Sequence, residues 1–249
     1  MAHHVLRFAA GSDVGMRRKV NEDSALAGPR LLAVADGMGG HPHGDVASRT
    51  AITILSGLGP GGDLAGAVTE IADRLDALAR HEPDLMGMGT TLTVMAWDGG
   101  GFAVAHIGDS RAYLLRTGDL FQLTRDHTMV QSLVDGGQLT RAEADRHPKG
   151  SMLVKALQTG TRSEPDVFRH DALPGDRYLL CSDGVSGFLP PDAIREALAG
   201  AARPEDAVTR LIGLANGTGG LDNITCVVAD VVPSAPEVSP LVVGAAARR

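Results

Sequence analysis

The stretch TTLTVMAWDGGGFAVAHIGDSRAYLLRTGDLFQL, residues 90–123, decides the fold. Apolar runs at 90–97 and 102–107 flank Asp98-Gly99-Gly100, and runs at 111–115 and 120–123 flank a turn around Thr117-Gly118-Asp119. Short β-branched and apolar runs separated by tight Asp/Gly turns are hairpin signals, and hairpins make antiparallel sheets. Upstream, strand-like runs occupy 4–10, 24–27 and 31–35; downstream, they occupy 167–170, 178–182 and 223–232. Between these groups the periodicity becomes helical. Residues 45–58 place Val46, Ala47, Thr50, Ala51, Ile54, Leu55 and Leu58 on one face. A second helix carries Leu64, Ala67, Val68, Ile71, Leu75 and Leu78, with Gly-rich residues 57–62 between the two. Two more helices are expected at 192–198 and 205–215. Each is amphipathic, with one face to lay on a sheet. Grouped antiparallel strands with helices in pairs describe an α+β layered domain, not a βαβ repeat.

Composition narrows the class. The chain has 249 residues, 43% hydrophobic and 21% charged, which suits one large globular domain. A net charge of −7 argues against a nucleic-acid partner, which requires a clustered basic surface. No apolar stretch approaches the ~20 residues of a membrane span, and the N-terminus lacks the pattern of an export signal. The chain reads as cytoplasmic. Cys181 and Cys226 sit inside apolar runs and are expected as buried free thiols. Residues 236–249 are expected to be a flexible tail after a domain at 1–235.

Segments 31–37 (LLAVADG), 104–110 (VAHIGDS), 179–184 (LLCSDG) and 220–225 (GLDNIT) share one design. In each, an apolar strand abuts an aspartate in a tight turn. The strand fixes the carboxylate while the turn leaves it accessible. Asp-Gly alone is ordinary turn chemistry; four such aspartates, each following or opening an apolar strand, suggest a gathered acidic site. Gathered carboxylates repel one another unless cations intervene, and all-oxygen donors select hard ions such as Mg²⁺ or Mn²⁺. Ahead of the first of these segments, Arg18 precedes Asn21-Glu22-Asp23. An arginine fork can grip two phosphate oxygens at once.

With Gly87-Met88-Gly89-Thr90-Thr91, Ala35-Asp36-Gly37-Met38-Gly39-Gly40-His41 and Asp222-Asn223-Ile224-Thr225, this set resembles the metal-dependent PPM (type 2C) protein phosphatases of the bacterial branch. The likeness extends over nearly the whole chain. It is strongest to catalytic domains of actinobacterial enzymes that oppose serine/threonine kinases. The resemblance implies a four-layer αββα sandwich, two antiparallel sheets flanked by helix pairs. It implies two Mn²⁺ or Mg²⁺ ions in the core site, with Asp36 bridging them, the Gly37 carbonyl on the first, and Asp183 and Asp222 on the second. Asp109, with Asp183 shared, would hold a third, weaker ion. Glu22 and Asp23 would orient waters from behind, and Arg18 would clamp the phosphate. The implied reaction is hydrolysis of phosphoserine or phosphothreonine in proteins, kinases included, by in-line attack of a metal-bridging hydroxide. The chain is expected to act as a monomer.

A cysteine phosphatase is excluded, because its loop needs Cys-x5-Arg and Gly187 stands where the arginine should be. Animal members of the family carry a histidine directly after Asp-Gly, where this chain has Met38. The proton donor to the leaving group is then a water near Asp109, His41 or His43. The polar segment 128–161 reads as helical, with a capping box at Thr140-Arg141-Ala142-Glu143, and matches the family's variable flap. Two other readings stand beside this one: a catalytically silent phosphoprotein-binding pseudophosphatase, and a phosphatase of sigma-factor antagonist proteins.

Overall fold

The computed structural model describes residues 4–38, 43–59, 61–144, 146–236 and 238–247. Its strands are β1 (Val5–Asp13), β2 (Ser24–Ala27), β3 (Leu31–Ala35), β4 (Gly89–Thr90), β5 (Leu92–Trp97), β6 (Gly101–Ile107) and β7 (Arg111–Arg116). The series continues with β8 (Asp119–Gln122), β9 (Leu157–Gln158), β10 (Asp166–Asp171), β11 (Arg177–Cys181), β12 (Ile224–Val232) and β13 (Leu241–Gly244). The helices are α1 (Gly44–Ser56), α2 (Leu64–His81), α3 (Met129–Asp135), α4 (Arg141–Ala144), α5 (Asp183–Ser186), α6 (Pro191–Ala199) and α7 (Pro204–Gly217).

Two large antiparallel sheets form, in the orders β1-β12-β11-β7-β8 and β10-β6-β5-β3-β2-β13. Both hairpins of residues 90–123 are present, but they divide: β5 and β6 pair in the second sheet, β7 and β8 in the first. The break falls at Gly108-Asp109-Ser110, where the chain crosses between sheets.

Strand periodicity then sorts side chains into separate cores. On β12, Ile224, Cys226 and Val228 join Ile194, Leu198 and Leu211 of α6 and α7. The alternate residues Val227, Ala229 and Val231 join Leu32, Val34, Val104 and Tyr178 between the sheets. On β3, Ala33 and Ala35 face Ala51, Leu55, Ile71 and Leu75 of α1 and α2. Strands covered on both faces read as continuous apolar runs, as these do. The layers are therefore helix, sheet, sheet, helix. With few aromatics available, the middle core is centred on Phe102, whose ring lies 4.9 Å from Trp97 and 4.8 Å from Tyr178.

Several sequence expectations are corrected. Helix α1 is rotated from its apolar stripe: Ser48 and Ile52 are buried, whereas Val46, Ile54 and Leu58 are only partly so. The reason is polar, because the Ser48 hydroxyl donates to the Glu22 carbonyl at 2.5 Å and sits 3.0 Å from the Ser24 hydroxyl. Among the described residues of segment 128–161 the helices are only the short α3 and α4, and β9 pairs back onto β4. Its capping box does form, with Glu143 accepting from the Thr140 backbone N–H at 2.7 Å. The tail is not frayed at 241–247. Leu241–Gly244 pairs with β2, Ala245 is buried, and its N–H donates to the Asp23 carbonyl at 2.7 Å. Both cysteines are free and buried. Among the described residues no helix is long and apolar enough to cross a membrane.

Replacing the fully buried Phe102 with alanine removes the centre of the inter-sheet core. Urea unfolding of Phe102→Ala should show a loss of about 3–5 kcal/mol. A loss below ~1 kcal/mol would contradict this packing.

Candidate active site

Two acids come from each sheet. Asp36 follows β3 and Asp109 lies just beyond β6; Asp183 follows Ser182 at the end of β11, and Asp222 lies just ahead of β12. All four, with Arg18, Gly37 and Met38, line a single cavity of about 560 Å³. The two sheets touch here through the Asp183 backbone N–H, 3.4 Å from Asp36 Oδ2.

Local hydrogen bonds fix each turn. The Asp36 backbone is held at both ends: its N–H donates to Thr91 Oγ1 (3.1 Å), and its carbonyl accepts from Thr91 N–H (2.8 Å) and Thr90 Oγ1 (2.9 Å). Asn223 organises the opposite wall. Its Oδ1 accepts from Glu22 N–H at 2.8 Å, while its Nδ2 donates to the carbonyls of Val14 and Val20, both at 3.0 Å. That single amide gathers the loop carrying Arg18 and Glu22 onto the start of β12.

The two Asp-Gly pairs turn out not to need glycine for a left-handed turn. A Cβ on Gly37 would meet the Gly44 carbonyl oxygen at 2.4 Å, and one on Gly184 would meet the Asn223 carbonyl oxygen at 1.9 Å. Glycine lets backbone press against backbone directly beside each acid.

Electrostatics confirm the crowding. Burial, then the charges of Asp23, Asp183, Asp109 and Asp222, push Asp36 well above the usual carboxylate range. Burial followed by Asp183 raises Asp109 to about 8, and burial followed by Asp222 raises Asp183 to about 6. Such a set is short of positive charge. Among the described residues no three Asp, Glu, His or Cys side chains form a group able to hold an ion by themselves. The fit is instead that of a hard cation keeping several waters and bound through one or two carboxylates plus a carbonyl. The all-oxygen donor set of Asp36, Asp183, Asp222 and the Gly37 carbonyl suits it.

The remaining predicted residues are placed as follows. Arg18 is at the cavity, its Nη2 2.9 Å from Asp222 Oδ2, both side chains partly exposed. Asp23 does not reach the cavity lining. It is buried behind, accepting from Ser182 Oγ at 2.8 Å, and burial raises it to about 7. Glu22 is half-buried, raised chiefly by burial and partly restrained by Arg18. Met38 lines the cavity; His43 is exposed at the start of α1 with φ 63°, and His41 lies outside the described residues. Among the described residues no histidine lines the cavity. The roles of Thr90, Thr91, Ser182 and Asn223 were missed by sequence reasoning. Polar residues adjoining every acid turn were the available signal.

The family model described as "Protein phosphatase 2C" matches residues 17–217, and the chain belongs to that family. It is 51% identical over 237 residues to the serine/threonine protein phosphatase PstP of Mycobacterium tuberculosis, covering 92% of this chain and 45% of the relative. The chain thus spans less than half the length of that relative. It is 34% identical to the serine/threonine phosphatase Stp of Listeria monocytogenes, over 86% of this chain and 91% of Stp. The crystal structure of M. tuberculosis PstP superposes with a TM-score of 0.87 at 49% identity, covering 92% of this chain and 99% of that one. A PstP catalytic domain in complex with two manganese ions gives 0.84 at 48% identity, with the same coverage. These solved relatives share the layered α+β fold.

The raised acids carry a sign. Their folded-state affinities for protons exceed those of the unfolded chain, so the stability they contribute is present in acid and lost as pH rises through about 6 to 8. His106, pushed down to about 4 chiefly by burial, acts oppositely but only below ~6.5. In chelator, the melting temperature should therefore fall between pH 6.5 and 8.5, by the equivalent of roughly 1–2 kcal/mol. Saturating Mn²⁺ should remove that fall. A melting temperature indifferent to pH and to Mn²⁺ would show that the acids are not crowded.

Proposed function

We propose that the chain hydrolyses phosphoserine and phosphothreonine in proteins, reversing serine/threonine kinases in the cytoplasm, where ATP-dependent phosphorylation occurs. The observation carrying this reading is the convergence of Asp36, Asp109, Asp183 and Asp222 on one cavity that also holds Arg18. A phosphate monoester is inert and dianionic, so its hydrolysis needs charge neutralisation above all. Two divalent ions, held by Asp36, Asp183, Asp222 and the Gly37 carbonyl, would neutralise phosphoryl oxygens and acidify a water at neutral pH. Asp109 with Asp183 would hold a third.

The chain's own residues do the rest. Arg18 grips phosphoryl oxygens with its planar fork, exchanging the Asp222 carboxylate for the substrate. Threonines 90 and 91 hold the Asp36 backbone at both its N–H and its carbonyl, so the Cα from which the carboxylate projects is placed before substrate arrives. Asp23 and Ser182 back the Asp183 turn from the buried side. Met38 has no proton to give, so the leaving oxygen takes its proton from water in the cavity. PstP and Stp, as named, act on serine/threonine phosphates, and the PstP catalytic domain holds two manganese ions; both facts support this reading.

With a phosphothreonine peptide and Mn²⁺, phosphate release should occur and stop in excess chelator. Asp36→Asn should lower kcat by ~10³-fold or more. Turnover that persists in chelator, or in Asp36→Asn, would overturn the two-ion site. Arg18→Lys keeps the charge but loses the fork, and should raise KM about tenfold with a smaller change in kcat.

A further inference from the structure

His127 belongs to none of the acid turns, yet it is buried and touches three parts of the site. Its ring Nδ1 accepts the Gly108 backbone N–H at 3.1 Å, while its own N–H donates to the Gly108 carbonyl at 2.7 Å. One residue therefore holds both peptide groups that flank the Gly108 Cα, the second of them leading into Asp109. Gly108, at φ 108°, has no room for a side chain, since a Cβ would meet the Thr91 Cβ at 2.5 Å. Thr91 is the residue that holds Asp36 on both sides. The contacts run unbroken from His127 to two of the four acids.

On its other side His127 starts the flap. Its carbonyl accepts from Val154 N–H at 2.9 Å, and Met129 N–H donates to the Met152 carbonyl at 2.8 Å. Thr128 bridges Leu153 between these two bonds. Residues 151–156 line the same cavity as the acids. They include Met152 and Val154, which are exposed.

The ring's orientation is set from both edges. Because Nδ1 accepts, the neutral ring carries its proton on Nε2, which lies 3.1 Å from Asp166 Oδ2 on β10. That approach is electrostatic rather than an aligned hydrogen bond. Lys155 Nζ, from the cavity wall, is 3.6 Å from the other Asp166 oxygen. His106 stacks on the ring at 4.9 Å and is itself tied to Thr93 and the Arg125 carbonyl.

We infer that His127 is a positioning residue: its backbone joins the 151–156 wall, against which residues flanking a phosphorylated side chain would rest, to the Gly108 carbonyl, and its Nδ1 adds the second bond that fixes the orientation of the Gly108-Asp109 turn packed on Thr91-Asp36. The two halves of the cavity then keep one register. The inference rests on the phosphatase reading, and two substitutions separate the proposed contact from simple packing. His127→Asn keeps an acceptor where Nδ1 stands. His127→Gln places its amide further out, toward the Nε2 position, and leaves Gly108 N–H without a partner.

On both p-nitrophenyl phosphate and a phosphothreonine peptide, H127Q should lose ~10-fold or more in kcat while its KM for the small substrate is unchanged. H127N should stay within about threefold. Long-range ¹H–¹⁵N spectra of the metal-free wild type should show the proton on Nε2. The Gly108 amide resonance should persist in H127N and shift in H127Q. Equal loss in both variants, no loss in either, or a proton on Nδ1 would overturn the inference. Should H127Q fail to fold, the wild-type spectrum and H127N decide it. Absence of turnover by the wild type would sink the phosphatase reading alone, with the spectra still deciding the His127 contact.

Discussion

Repulsion among buried carboxylates is the constraint on which the rest of this structure depends. Asp23, Asp36, Asp109 and Asp183 are each lifted in pKa, with burial the first cause. Left on mobile loops, such groups would move apart into water. They stay together because each is tied to a strand whose other residues are committed to a core. The sheets hold the acids against one another, and the hydrophobic burial on both faces of β3 and β12 opposes their separation.

A second set of contacts converts this crowding into a defined shape. Asn223 satisfies three backbone groups of one loop, Thr90 and Thr91 brace Asp36, and Ser182 joins Asp23 to the β11 end. None of these side chains needs to carry charge. They satisfy buried polar groups that would otherwise be left unpaired, and in doing so they fix the backbone from which the acids project.

Much of this was legible in the chain. The hairpins of 90–123, the paired helices and the four aspartates that follow or open a strand come from patterns that local sequence controls. The cofacial packing of two sheets was carried by family likeness, since no local pattern says which hairpin joins which sheet. The hydroxyl of Ser48 rotated α1 away from its apolar stripe through a partner 26 residues earlier, which periodicity cannot see. Asp23 looked equivalent to Glu22, yet one is buried behind the site and the other half-buried beside it. The pairing of Arg18 with Asp222 joins residues 204 positions apart and appears only once the fold is closed.

The short strand β13 has a consequence for where this domain can be cut. It caps β2 along the outer edge of its sheet, and its continuation rests on the Asp23 carbonyl. A chain ended at Val232 would retain every acid and the arginine. It would nonetheless present β2 as a bare edge, its unpaired N–H and C=O groups open to a neighbouring molecule's strand. Covering that edge guards against strand-to-strand association, a role separate from holding the acids.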